Sequence, residues 1–180
     1  MNSLHACSLL AMFAGVVSAA MANAQSKPTD PPVRTREEFT FVASGGYADV
    51  FPLFGAHKER VWAVGFDPQF IHPVPARDEA GMVFTTVQEG MQRVWVNTAF
   101  DAAMGHVQYV YWIADVTTAW IDIQVTNSGG TATAVHVVYE RTALRSEANE
   151  RVLQMAHHDA NSGPHWAEMI NGYLRTAAAR

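Results

Sequence analysis

From Gln69 to Ala143 the chain offers no stretch suited to a long helix. Runs rich in β-branched and aromatic residues follow one another: Gln69–His72, Met82–Gln88, Gln92–Phe100, His106–Ile113, Thr118–Thr126 and Thr133–Ala143. The links between the later runs are short and turn-rich, namely Glu89-Gly90, Asp101 to Gly105, and Asn127-Ser128-Gly129-Gly130. Asn and Gly tolerate the positive φ that a tight antiparallel connection needs, so the last of these is a strong hairpin signal. Consecutive strands joined this closely predict an antiparallel meander.

What flanks the meander sets the rest of the architecture. Glu38 to Ser44, EFTFVAS, reads as a first strand, and Gly45-Gly46 ends it. Tyr47 to Trp62 places Val50, Leu53 and Phe54 at helical spacing, but Pro52 and Gly55 divide it into two short helices or a helix and a turn. After the meander, Ser146 to Asn161 and Pro164 to Thr176 return to helical patterning. Trp166, Met169, Ile170, Tyr173 and Leu174 form one apolar stripe. Ser162-Gly163-Pro164 predicts a break or kink there, with Ser162 as the cap and Pro164 in a fresh first turn. The expected class is α+β: a curved antiparallel sheet of about seven strands wrapped around a long, kinked C-terminal helix.

The start of the chain reads differently. Leu9 to Ala22 is apolar but short for a bilayer span, and Ala22-Asn23-Ala24 has the small-x-small pattern of a cleavage site. Residues 1–24 are therefore expected to be a signal peptide, cleaved after Ala24, although no Lys or Arg precedes the apolar run. Residues 25–35, with three prolines, read as a flexible arm, and residues 36–178 as a single domain. The only cysteine, Cys7, would leave with the leader, so the remaining chain has no disulfide and no thiolate. This predicts a periplasmic or secreted protein stabilised by core burial.

The net charge of −5 and the presence of Lys only at positions 27 and 58 exclude a basic nucleic-acid surface, and no stable membrane insertion of the processed chain is expected. No G-x-S-x-G, H-E-x-x-H or phosphate-binding Gly-rich loop occurs, so no catalytic residue is assigned from motifs. His158 and His165 would lie about 10 Å apart on a continuous helix, too far for one ion, so neither a metal nor an organic cofactor is expected.

Several segments carry a family resemblance. Ser44 to Phe54 is a small-residue turn leading into a Phe-containing short helix. Glu59 and Trp62 follow, and then the turn Gly65-Phe66-Asp67-Pro68. Gly81 to Thr86, Val94 to Thr98 and Val135 to Leu144 are similar to strand patterns of the same group. Over roughly residues 38 to 176 the chain resembles the START-related SRPBCC superfamily, in particular its polyketide cyclase/dehydrase and lipid-transport branch. The resemblance implies a helix-grip fold with a cavity between sheet and terminal helix. It implies little about chemistry, because carriers, cyclases, hydrolases and chaperone activators share the scaffold.

Strand alternation then nominates residues. In the last strand Val135, Val137, Tyr139 and Arg141 share a face. If that face is inward, Arg141 meets either a ligand carboxylate or an Asp or Glu at the rim. Tyr109 and Tyr111 share a face one strand away, as cavity liners or ordinary core. Trp62 and Phe66 close one end, either bordering the cavity or plugging it. Phe84 and Trp95 complete the expected sheet-side lining. Met155, Trp166 and Met169 face them from the terminal helix, and His158, beside Asp159, offers a polar contact. Truncating Met155 or Tyr109 is expected to cost affinity more than stability.

The leading expectation is thus an exported protein that binds a small hydrophobic or amphipathic ligand. Two alternatives remain: a cyclase/dehydrase- or hydrolase-like enzyme using the same cavity, which requires polar side chains converging inside it, and a structural or partner-binding module with a filled interior and a large exposed apolar patch.

Overall fold

A computed structural model describes residues 30–179. The expected signal peptide and the first residues of the arm lie outside that range. Seven strands form one antiparallel sheet: β1 (Arg34–Ala43), β2 (Gln69–His72), β3 (Val83–Gln88), β4 (Met91–Asp101), β5 (His106–Ile113), β6 (Thr117–Asn127) and β7 (Thr133–Ala143). Their spatial order is β1-β7-β6-β5-β4-β3-β2, so the meander runs unbroken from β2 to β7 and β1 closes onto its last strand. The sheet is the one the sequence predicts, with strand ends displaced by a residue or so and one larger difference.

That difference is at β1, which begins at Arg34 rather than Glu38, because Arg34 pairs with Thr142 and Thr35 with Arg141. The last part of the expected arm is also held. Asn149 accepts a hydrogen bond from the Val33 N–H at 2.9 Å and donates one to the Pro31 carbonyl at 2.9 Å, while Ala143 N–H donates to the Val33 carbonyl. One Asn side chain thus satisfies backbone groups that proline-rich sequence cannot satisfy by itself.

Between β1 and β2 lie α1 (Tyr47–Val50), a 3-10 turn (Phe51–Phe54) and α2 (Ala56–Glu59). Pro52 starts the 3-10 turn and Gly55, in extended conformation, ends it, as these residue types dictate. Gly55 is also required by space: a Cβ there would sit 2.2 Å from Cγ of Asp78, whose Oδ1 accepts the His57 N–H at 2.8 Å.

The C-terminal helix is two helices, α3 (Asn149–Ala160) and α4 (Gly163–Ala178). The break falls at the expected place, but Ser162 does not cap α4. Its hydroxyl donates back to the His158 carbonyl at 2.9 Å and closes the end of α3 instead. Gly163 lets α4 begin against β1, since a Cβ would meet the Phe39 ring at 3.2 Å. Helix α3 packs on β1 and β7, and α4 packs on β1.

The core lies between the concave sheet and these helices. Phe54, Met82, Phe84, Val107, Val135, Val137 and Ile170 are fully buried there. The inward faces of β5, β6 and β7 alternate with outward ones, interrupted in β7 only at half-buried Tyr139, which is why their strand pattern was readable. In β4 the pairing with β5 slips between Asn97 and Ala99, a bulge that bends the sheet. Not every tryptophan turns inward. Trp112 and Trp120 stand on the convex face, 42% and 50% exposed. Among the described residues no helix is long and apolar enough to cross a membrane.

Candidate functional site

A cavity of about 530 Å³ opens between the sheet and α3. The strands supply Gln88 at the end of β3, Arg93 and Trp95 from β4, Tyr111 from β5, Ile121 from β6, and Tyr139 and Arg141 from β7. Helix α3 supplies Arg151, Gln154, Met155, His158 and Asp159, and α4 supplies Trp166. Glu59, Phe66 and Glu89 complete the wall. The side chains that reach it follow from period-two alternation on the strands and from residues 151, 155, 158 and 159 sharing one helical face.

Of the residues nominated from sequence, Phe66, Trp95, Tyr111, Tyr139, Arg141, Met155, His158 and Trp166 border the cavity. Trp62, Phe84, Tyr109 and Met169 do not. Trp62 is buried, donates from Nε1 to the Leu53 carbonyl at 2.7 Å and meets Trp166 edge-on at 5.4 Å, so it plugs the interior. Phe84 stacks behind Trp95, with planes 7° apart. The Tyr109 hydroxyl donates to the Phe54 carbonyl and accepts the Ala56 N–H, each at 2.9 Å, tying the short helices to β5. Tyr109 is therefore core. Met169 packs against the core from α4.

The aromatic wall is rigid. Trp95 and Tyr111 approach to 4.2 Å between centroids, and Trp95 donates to Thr86 Oγ1 at 3.0 Å. Trp166 is wedged among Phe39, Phe54 and Trp62. Side chains fixed this way present a preformed apolar surface.

Charge is concentrated on the same wall. Arg141 forms a two-point pair with Asp159, Nε to Oδ2 at 2.5 Å and Nη2 to Oδ1 at 2.9 Å, with both side chains buried. It also donates to the Tyr111 hydroxyl and lies 5.3 Å from the Tyr139 ring centroid. Burial alone would weaken the guanidinium's hold on its proton, but Asp159 and Tyr111 more than offset it. Of the two readings open in the sequence, the acid partner holds, and it comes from the helix. Asp159 consequently serves Arg141 rather than His158. Arg151 pairs with Glu89 across the rim.

Glu59 was legible only as part of a family pattern and was not nominated. Its half-buried side chain borders the cavity, and burial first, then the charge of Asp78, raise its pKa to about 8. Asp78 is itself raised by burial, partly offset by the His57 N–H. Glu59 thus keeps its proton at neutral pH and can donate a hydrogen bond there. Arg93 was also missed, although alternation with Trp95 two residues on puts both on one face. Among the described residues no group of three His, Cys, Asp or Glu is arranged to hold a metal ion.

No family model matches the sequence, and no curated protein does. Solved structures do match in shape. Norcoclaurine synthase from Thalictrum flavum, in complex with dopamine and hydroxybenzaldehyde, superposes with a TM-score of 0.58 at 9% identity, covering 97% of this chain and 99% of that one. A START superfamily protein from Mycobacterium smegmatis gives 0.58 at 11% identity over 79% and 98% of the two chains. The protein XoxI from Bacillus cereus gives 0.56 at 12% over 79% and 98%. Identities this low speak for the fold alone. With its seven-stranded curved sheet, paired short helices and C-terminal helical grip, the chain has a helix-grip fold, similar to that of the START superfamily protein from Mycobacterium smegmatis.

Proposed function

We propose that this protein binds a small amphipathic molecule in the cavity beneath α3, and that it does so after export and removal of residues 1–24. The observation that carries the reading is the cavity itself: about 530 Å³ left open inside a domain whose other end is close-packed, with a fixed aromatic wall and polar groups at one side. Water in a pocket of this size meets the aromatic wall, and an apolar ligand body that displaces it gains the burial of that surface. The norcoclaurine synthase complex supports the reading by analogy, because there the same scaffold holds two small aromatic molecules.

Native mass spectrometry of the full chain purified from its own host, followed by titration with a lipid and aromatic library, tests it. A co-purifying small molecule or a saturable hit is expected. Repeated recovery of the empty chain with no hit across the library overturns it. For export, a mature N-terminus at Gln25 in the extracytoplasmic fraction is expected, and an intact Met1 there would contradict it.

Glu59 favours a second reading, proton-transfer catalysis in the same cavity. A carboxyl held to about 8 can give and recover a proton near neutral pH, and Arg93, Tyr111 and Arg141 border the same space. Polar side chains on one wall of the cavity support this reading. Incubation with host metabolite extract, followed by mass spectrometry, should show a product formed by the wild type and lost with Glu59→Gln. Identical profiles for the two proteins overturn this reading. A filled structural module is disfavoured by the cavity.

A further inference from the structure

The charges around the cavity are matched, with one exception. Arg141 is satisfied twice over by Asp159, and Arg151 has Glu89. Arg93 is only 7% exposed and projects from β4, opposite Thr86, into the same wall. Its one hydrogen bond among the described residues runs from Nη1 to the Gln88 carbonyl at a long 3.3 Å, and no carboxylate there lies within ion-pair distance. A guanidinium has five donor hydrogens and a charge that is costly to bury without a counter-ion. Glu59, the remaining acid on the wall, keeps its proton at neutral pH and supplies no anion.

We infer that Arg93 is the anchor for the carboxylate of the ligand, which is a monoanionic organic acid whose apolar body lies against Trp95, Phe66 and Met155. The inference rests on the reading of the cavity as a ligand site. A carboxylate fits the planar guanidinium fork and brings the single negative charge that Arg93 leaves uncompensated. Arg93, Arg141 and Arg151 against Glu89 and Asp159 leave one net positive charge around the opening, which a single carboxylate neutralises and a phosphate monoester, with close to two charges, would exceed.

The test is isothermal titration calorimetry on the full chain at pH 7, with matched acids and primary amides on two bodies: naphthalene-2-carboxylate against its amide, and dodecanoate against dodecanamide. Dodecyl phosphate serves as the dianion. The acid of at least one body should bind about tenfold or more tightly than its amide, the worth of one charge-assisted contact. Arg93→Met should abolish that preference, Arg93→Lys should keep part of it, and Trp95→Ala should weaken acid and amide together. Equal binding of acid and amide, or a preference that survives Arg93→Met, overturns the inference but leaves the cavity reading intact. A tighter dodecyl phosphate than dodecanoate also overturns it. Binding of no probe by the wild type overturns both. If Arg93→Met does not fold, the wild-type acid-to-amide ratio and the Arg93→Lys variant decide.

Discussion

Tyr109 and Tyr111 leave the same face of β5 two residues apart, yet they belong to different regions. Tyr109 is locked into the packed end, its hydroxyl satisfied by the backbone of the short helices. Tyr111 stands at the open end, hydrogen-bonded to Arg141 and facing the cavity. The same hand-over recurs on the neighbouring strands: Val135 and Val137 give way to Tyr139 and Arg141 on β7, and buried Asn97 gives way to Trp95 and Arg93 on β4. A single inward face thus serves as core along one half and as site wall along the other. The division runs across the strands, and its position is set by where the short helices and α4 stop filling the sheet's concavity.

The contrast can be broken most strongly at its packed end. Tyr109→Ala removes a buried ring and strands two backbone groups, and should cost about 3–5 kcal/mol in urea or thermal unfolding. Of the two sequence readings of Tyr109, liner or core, this is the core one, and it reverses the expectation that truncating Tyr109 costs affinity more than stability.

At the boundary between the regions, Asp159→Asn should cost about 2–3 kcal/mol, because Arg141 keeps an acceptor but loses its counter-charge in a buried setting. Chemical denaturation reads this directly, and a change below about 0.5 kcal/mol would mean that the pair is solvated.

Glu59 sharpens the contrast through pH. The folded protein holds its proton up to about 8, whereas the unfolded chain loses it near the ordinary 4.5. Between those values the folded state binds more protons, so this group makes stability fall as pH rises through the window and leaves it level above. Glu59→Gln should flatten that slope and add on the order of 2 kcal/mol at pH 8, allowing for solvent in the cavity. Parallel pH–stability curves for the two proteins would place Glu59 outside the open end.

Met155→Ala, on the cavity wall, should cost only about 1 kcal/mol of stability, well short of a packed position, while weakening an apolar fluorescent probe several-fold. A loss of several kcal/mol would move Met155 into the core. The smallest effect is expected at the rim. Glu89→Gln breaks an exposed pair with Arg151, and calorimetry should show a stability change below about 1 kcal/mol that vanishes at high salt.

Much of this was legible in the sequence because it follows from period and punctuation. The limits of β2, β5 and β7, the division of the first helical stretch at Pro52 and Gly55, and the interruption at residues 161–162, just before Gly163-Pro164, are local consequences of residue type. The partition of inward residues between core and cavity was not. Tyr109 and Tyr111, or Trp62 and Phe66, differ only in what packs on them from distant segments, and alternation carries no information on that. Arg93 could have been found by extending to β4 the alternation applied to β5 and β7. The protonation of Glu59 could not, since it depends first on burial and then on Asp78, which Gly55 admits to close range, and both exist only in three dimensions.

Strand order also dictates when the molecule can come together. Strand β1 is the first element of the described chain, and its sole neighbour in the sheet is β7, about a hundred residues later. Each β hairpin from β3 to β7 can form as its own residues emerge, but β1 must wait for a loop of nearly the whole domain to close, which is a slow, entropically costly event. Helices α3 and α4 dock on β1, so they inherit the delay. A chain ending before Thr133 would retain the means to build the meander's earlier strands and have nowhere to put its first strand, leaving an apolar edge bearing Phe39 and Phe41 open to association with other chains.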